Sequence, residues 1–318
     1  MKDNIKSPIN YTGNKYRLID QITPYFPKKI NCMMDLFCGG ATVGLNANTN
    51  KVIFVDENKK IIELLEYISN VNFDNFINMC EEVIKKYNLS ISCKNGYKKY
   101  RSLCKDKCDN NGLKDYNTEG FYKLREDYNR NLKINKQDKQ FVMLYLLMVY
   151  GFNNDIRFNS RGEYNLPVGK TDLNKNNVEK IQRYIDKSKI SNFTFINTEF
   201  DSPVVLKLLD DVDFVYMDPP YLVGNAVYNN TWSSQKEHKL LDFIDVLISK
   251  KINFALSNVT KKVGKKNEPL EYWIHKNKDK IKVIEIDYHY KSSSYNKINR
   301  NAKEQEVLIV NKRYNNED

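Results

Sequence analysis

The chain has no apolar run long enough to cross a bilayer. Its longest, Phe141 to Tyr150, has ten residues, against the ~20 a spanning helix needs, and is expected to be a buried helix ended by Gly151. No membrane partner is therefore expected. Met1-Lys2-Asp3-Asn4 runs straight into polar sequence, so no secretory leader is expected. Six cysteines without such a leader fit reduced thiols and a cytoplasmic location. Three of them, Cys93, Cys104 and Cys108, raise the question of zinc. No histidine lies near them and no fourth ligand is suitably spaced, so structural cysteines and no metal site are expected. The dinucleotide fingerprint G-x-G-x-x-G is missing, which disfavours an NAD(P)-dependent oxidoreductase. There is no internal repeat and no flexible linker.

Positive charge is in excess. Among 318 residues the net charge is +11, which points to a polyanionic partner. The excess is concentrated. Residues 94–136 hold 12 Lys or Arg against 6 acids, and residues 261–300 hold 11 against 5. In the first stretch Lys98, Lys99 and Arg101 interleave with Tyr97 and Tyr100, a mixture suited to phosphate contact and base stacking; the alternative is a solvated, mostly helical insertion. Residues 151–169 are dense in Asn, Arg and Gly and read as an ordered loop or hairpin. Its Asn153, Arg157 and Asn159 have the chemistry to read base edges or hold phosphates, although turn chemistry explains many such residues.

The chain is organised around Asp218-Pro219-Pro220-Tyr221. It follows Phe214-Val215-Tyr216-Met217, which reads as a buried strand. Two prolines cannot continue a ladder, so the strand must stop there. The corner sets a carboxylate, a carbonyl and an aromatic ring at a strand's C-terminal end, where ligands bind in open α/β sheets. That set suits a difficult nucleophile, the exocyclic amine of a nucleobase. The Asp218 carboxylate and the Pro219 carbonyl would accept its two N–H groups and aim its lone pair at an electrophile, while Tyr221 stacks on the base.

Elsewhere the chain alternates strand and helix. Cys32 to Phe37 reads as the first central strand, and Cys38-Gly39-Gly40 as a turn that lets a cofactor approach the backbone. Val52 to Val55 is a second strand ending in Asp56, placed to accept from a ribose diol. A helix is expected to start near Lys15 and end before Pro24. Lys15 opposes the helix dipole there, which makes sense if an anion docks nearby; a solvated surface lysine is the alternative. Helical spacing marks Ile61–Ile68 and Phe73–Ile84. The α/β rhythm resumes with strands at Phe193–Ile196 and Ile252–Ser257, a short helix at Val204–Leu209, a longer one over 237–250, and two antiparallel strands at Lys282–Asp287 and Glu306–Val310.

Three stretches in this order, Tyr11-x-Gly13-Asn14-Lys15, Asp35-Leu-Phe-Cys-Gly39-Gly40 and Asp218-Pro-Pro-Tyr221, resemble the Dam-type DNA adenine-N6 methyltransferases. Residues 157–169 and Asn299 to Asn311 are similar to theirs too. The resemblance implies a Rossmann-like class I methyltransferase sheet of seven strands with one antiparallel hairpin. It also implies an inserted, mostly helical target-recognition domain, drawn here as 69–187 between catalytic segments 1–68 and 188–318. S-adenosylmethionine is the implied methyl donor, with Tyr11 and Lys15 helping to hold it, Asp35 and Gly39 lining its methionine end, Asp56 on the ribose and Asp218 between donor and target. Double-stranded DNA is the implied substrate, and a restriction endonuclease acting on the same site a possible partner. The corner alone is also compatible with cytosine N4 or RNA adenine as target, and the fold with a non-catalytic nucleic-acid-binding module. The absence of a Pro-Cys pair argues against cytosine C5 chemistry.

Overall fold

The computed structural model of the chain describes residues 3–105, 109–132, 138–223, 232–262, 264–286 and 305–312. Cys108, the stretch 228–231 and all of 287–304 lie outside the described residues. The chain divides into two compact units, one of Met1–Asn14 with Lys60–Ile190 and one of Lys15–Lys59 with Ser191–Asp318. The cuts therefore fall at 14/15, 59/60 and 190/191, whereas the sequence pattern places them at 68/69 and 187/188.

The second unit holds the sheet. Its strands are β1 (Met33–Leu36), β2 (Lys51–Asp56), β3 (Asn192–Asn197), β4 (Phe214–Met217), β5 (Asn253–Lys262), β6 (Lys265–Lys266), β7 (Ile281–Ile286) and β8 (Gln305–Asn311). The order is β3-β2-β1-β4-β5-β8-β7, with β6 paired to β5 alone. β1 to β5 run parallel, and β8 runs antiparallel to both β5 and β7. A mostly parallel α/β sheet results, with the antiparallel pair at its end and the two-residue β6 added.

All four residues of β1 and all four of β4 are buried. That is the pattern of strands covered on both faces, which read as continuous apolar runs. Alternate residues serve the two faces. Met34, Leu36, Val215 and Met217 join a core with Leu240, Ile244 and Phe254, while Met33, Phe214 and Tyr216 join one with Ile19, Ile22 and Val310. Asp35 is the polar exception within β1. The chain runs from β1 outward through β2 to β3 and then returns to β4 on the other side of β1. The C-terminal ends of β1 and β4 thus flank the point where strand order reverses, where such sheets bind ligands.

The α-helix expected after Lys15 does end before Pro24, at Ile22, but the helical segment around it is longer. It runs as a 3-10 turn Tyr16–Leu18, a helix Ile19–Ile22 and a second 3-10 turn Thr23–Tyr25 that contains Pro24. Proline is tolerated in a first turn, where its missing N–H would have no partner.

The first unit is helical. Asp138–Tyr150 is its central element, with every residue from Val142 to Tyr150 buried. Phe73–Lys86 and Lys114–Arg130 pack against it. Gly151 follows where a Cβ would strike the Leu147 carbonyl and the Tyr164 hydroxyl, so only glycine fits there without a shift. Residues 157–165 form a small hairpin, with Phe158 bridged to Tyr164.

Candidate active site

The turn after β1 is tightly wound. Phe37, Gly39 and Ala41 all take positive φ, at 66°, 47° and 62°. For phenylalanine and alanine this left-handed conformation is unfavourable and persists only when surrounding structure enforces it. Here Cys38 N–H donates to the Val55 carbonyl and Ala41 N–H to the Cys38 carbonyl. Gly39 N–H donates to Asp56 Oδ2 at 2.9 Å, and Asn58 N–H to Asp56 Oδ1 at 2.8 Å. Asp56 therefore ties the end of β2 to the turn after β1. Burial pushes its carboxyl above the usual range, opposed by those two N–H donors.

Asp35 lies beneath the same turn, 2% exposed. Its Oδ2 accepts from Gly44 N–H at 2.9 Å. Burial pushes its pKa up to about 8, Gly44 opposes the shift, and the negative charges of Asp218 and Asp56 add to it.

The corner after β4 carries a second cluster. Lys15 is 5% exposed, and its Nζ lies 2.6 Å from Asp218 Oδ2 and 3.9 Å from Glu306 Oε1. The Tyr221 hydroxyl is 3.0 Å from Asp218 Oδ1 and 3.3 Å from Glu306 Oε1, its one proton serving the two acceptors. Burial and these carboxylates push the phenol well above its usual range, so it stays neutral. The Lys15 ammonium also lies 5.4 Å from the centroid of the Tyr221 ring. Pro219 is buried behind the corner. Lys15 is thus not a solvated surface lysine.

The sheet unit therefore gathers Lys15, Asp35, Gly39, Asp56, Asp218, Pro219 and Tyr221 at the ends of β1, β2 and β4. Tyr11 falls in the other unit, where its carbonyl accepts from Asn14 N–H. Glu306 was missed as a site residue. The sequence signal was an acid directly before the apolar run Val307–Val310 of β8, as Asp35 is an acid within β1; the structure leaves Glu306 5% exposed.

The residues singled out for nucleic acid lie in the helical unit. Lys98 and Lys99 are exposed on the helix Tyr97–Leu103, and Arg101 is half-buried. Tyr97 is 47% exposed, but Tyr100 is only 6% exposed. Tyr100 packs edge-on against Tyr116 and accepts from Asn95 Nδ2 at 2.6 Å. Its ring is a core element, so the expectation that it offers a stacking face is corrected. Asn153 is exposed with φ 56°. Arg157 is exposed and donates from Nε to Asn165 Oδ1 at 2.8 Å. Asn159 spends its amide on the hairpin turn: Oδ1 accepts from Arg161 and Glu163 N–H, and Nδ2 donates to Glu163 Oε2. Turn chemistry thus accounts for Asn159.

No group of His, Cys, Asp or Glu among the described residues could hold a metal ion. The cysteines at 32, 38, 80, 93 and 104 are free thiols. No helix among the described residues is long and apolar enough to cross a membrane. An organic cofactor is better matched. Thr42 Oγ1, on the residue after the wound turn, is buried with no hydrogen-bond partner. Two residues on, Gly44 N–H is the donor to the poorly compensated Asp35 carboxyl. A ligand that supplied a cation and a hydrogen-bonding group would satisfy both.

Acids gathered at the reversal point of a parallel α/β sheet are the layout of a ligand-binding α/β protein. Residues 11–292 match the family described as D12 class N6 adenine-specific DNA methyltransferase, and the chain belongs to that family. It is 35% identical over 315 residues to the type II methyltransferase M.FokI of Planomicrobium okeanokoites, covering 96% of this chain and 43% of that protein. It is 34% identical to the modification methylase StsI of Streptococcus sanguinis, covering 98% of this chain and 43% of that protein. The DNA adenine methylase of Escherichia coli (strain K12) is 26% identical over 267 residues, 81% of this chain and 82% of that protein. The chain thus spans less than half the length of M.FokI and of StsI.

Proposed function

We propose that the chain transfers a methyl group from S-adenosylmethionine to the N6 amine of an adenine flipped out of double-stranded DNA. The observation that carries this reading is the Asp218-Pro219-Pro220-Tyr221 corner, set beside the wound turn of β1 in a chain of this family. The cofactor supplies an electrophilic methyl on a positively charged sulfur. Asp56 is suited to its ribose hydroxyls, Asp35 and Gly39 to its methionine end, and Lys15 and Tyr11 to steadying it. Asp218 and the Pro219 carbonyl accept from the exocyclic amine, and Tyr221 stacks on the ring. An ionised carboxylate has about four lone-pair sites. Lys15 and Tyr221 take one on each oxygen of Asp218, which leaves others for the amine. Flipping the base costs a few kcal/mol, which contacts from the helical unit must offset. Lys98, Lys99 and Arg101 are suited to phosphates, and Asn153 and Arg157 to phosphates or base edges.

In this reading residues 69–187 act as the target-recognition region. The protein works in the cytoplasm, alongside a restriction endonuclease of the same specificity. The test is to incubate protein, DNA and S-adenosylmethionine, digest the product to nucleosides and identify the modified base by mass. N6-methyladenine is expected. N4-methylcytosine, or modification of RNA alone, would move the reading to those targets. Failure to bind S-adenosylmethionine in calorimetry would favour a non-catalytic module.

A further inference from the structure

Lys60 is the second of two lysines that open the helix Lys59–Asn70, whose first turn contains no acid. Cations at that end oppose the helix dipole, and the helix offsets Lys60 only through Glu63, three residues on. Lys60 Nζ donates to the Gly162 carbonyl at 2.7 Å. It lies 4.2 Å from the centroid of the Phe158 ring and 5.6 Å from that of Tyr128. One half-buried ammonium thus grips the hairpin at its turn, where Gly162 takes φ 76°, and at the inward ring of its first arm.

That grip bears on register. Side chains alternate along an extended arm, and a slip of one residue exchanges the two faces. Holding Phe158 inward leaves its neighbour Arg157 exposed. Asn165, opposite, accepts from Arg157 Nε and donates its own N–H to the Arg157 carbonyl. Without Lys60, Phe158 would lose its cation and the turn its link to the helix. We propose that Lys60 is a positioning residue for sequence recognition: by pinning Phe158 and Gly162 it fixes the register of the hairpin and so the direction in which Arg157 is presented to DNA. The inference rests on the reading that this hairpin touches the target duplex.

The test compares wild type with Lys60→Met, Lys60→Arg, Phe158→Leu and Arg157→Ala. Genomic DNA is methylated by each and sequenced with base-modification detection. The readout is the ratio of methylation at sites one base removed from the preferred sequence to methylation at that sequence. Read at low extents of methylation, the ratio is set by relative specificity, so a general loss of folded enzyme does not move it. Lys60→Met and Phe158→Leu are expected to raise it about 5-fold, within the range that one base contact commands. Lys60→Arg, which keeps a cation able to lie on a ring, is expected to raise it less. Lys60→Met should leave the salt dependence of DNA binding unchanged. A fall in that slope of about 0.9 would make Lys60 a phosphate contact and overturn the proposal. An unchanged ratio in Lys60→Met alongside a raised one in Arg157→Ala would overturn it for Lys60 alone. Unchanged ratios in both would remove the hairpin from the interface, and the proposal with it.

Discussion

Two buried aspartates, one in each unit, are both 2% exposed yet are held very differently. Asp172, in the helical unit, is saturated by its neighbours. It accepts from Ser90 Oγ at 2.9 Å, Ser92 N–H at 2.7 Å and Ser92 Oγ at 2.5 Å. Asn117 closes the group with its own bonds to Ser90. Asp35, in the sheet unit, has the Gly44 N–H and two other carboxylates for company, and its pKa rises to about 8. Burial of an acid therefore does not by itself mark a ligand site. The difference is a demand that the fold leaves unmet at Asp35, which is costly in a low-dielectric interior.

The sharpest break between the regions is expected at the corner of the sheet unit. Asp218→Ala should lower methyl transfer about 10²–10³-fold, as removal of a transition-state contact does, while DNA binding stays measurable. Full activity in that variant would end the assignment. Next in size is Asp172→Ala. It strands three donors in the helical core at about 1–3 kcal/mol each, so unfolding by denaturant should show a loss of several kcal/mol. A shift under 1 kcal/mol would mean that the saturated network is not what holds this region.

Asp35 makes the opposite prediction, one that depends on pH. Its folded pKa lies above its unfolded value of 3.8. Between about pH 4 and 8 the folded state therefore holds a proton that the unfolded state has released. Stability should fall as pH rises through that window, by up to ~1.4 kcal/mol per pH unit, and level off above it. In Asp35→Asn that part of the slope should vanish. Identical slopes in the two proteins would show that Asp35 is not protonated in the folded state. The smallest effect belongs to the exposed helix of the helical unit. Lys98→Ala and Lys99→Ala should each reduce the salt slope of DNA binding by about 0.9 and leave thermal stability within 0.5 kcal/mol or so of wild type.

Much of the sheet was legible because buried parallel strands are short apolar runs bounded by turn residues. Phe214–Met217 was read with its final boundaries, since two prolines must end a ladder. The acids at strand ends stood out because a carboxylate next to four apolar residues is a local anomaly. The 3-10 turn through Pro24 was not legible, because proline in a first turn and proline after a helix look alike in sequence. Nor was the burial of Tyr100, since Tyr97 and Tyr100 have the same local context. The difference is made by Tyr116 and Asn95, which reach one ring and not the other.

By itself the sequence determined which segments could pair as a sheet, where each strand had to stop, and which unusual acids and lysines stood at the stops. Those are local matters of hydrogen-bonding capacity, side-chain shape and apolar patterning. Only the tertiary structure decided that Lys15 meets Asp218 across 203 residues of chain, that Glu306 joins them, and that burial pushes the Asp35 carboxyl up. A charge interaction depends on distance and on the water excluded around it, and both are set by elements remote in sequence.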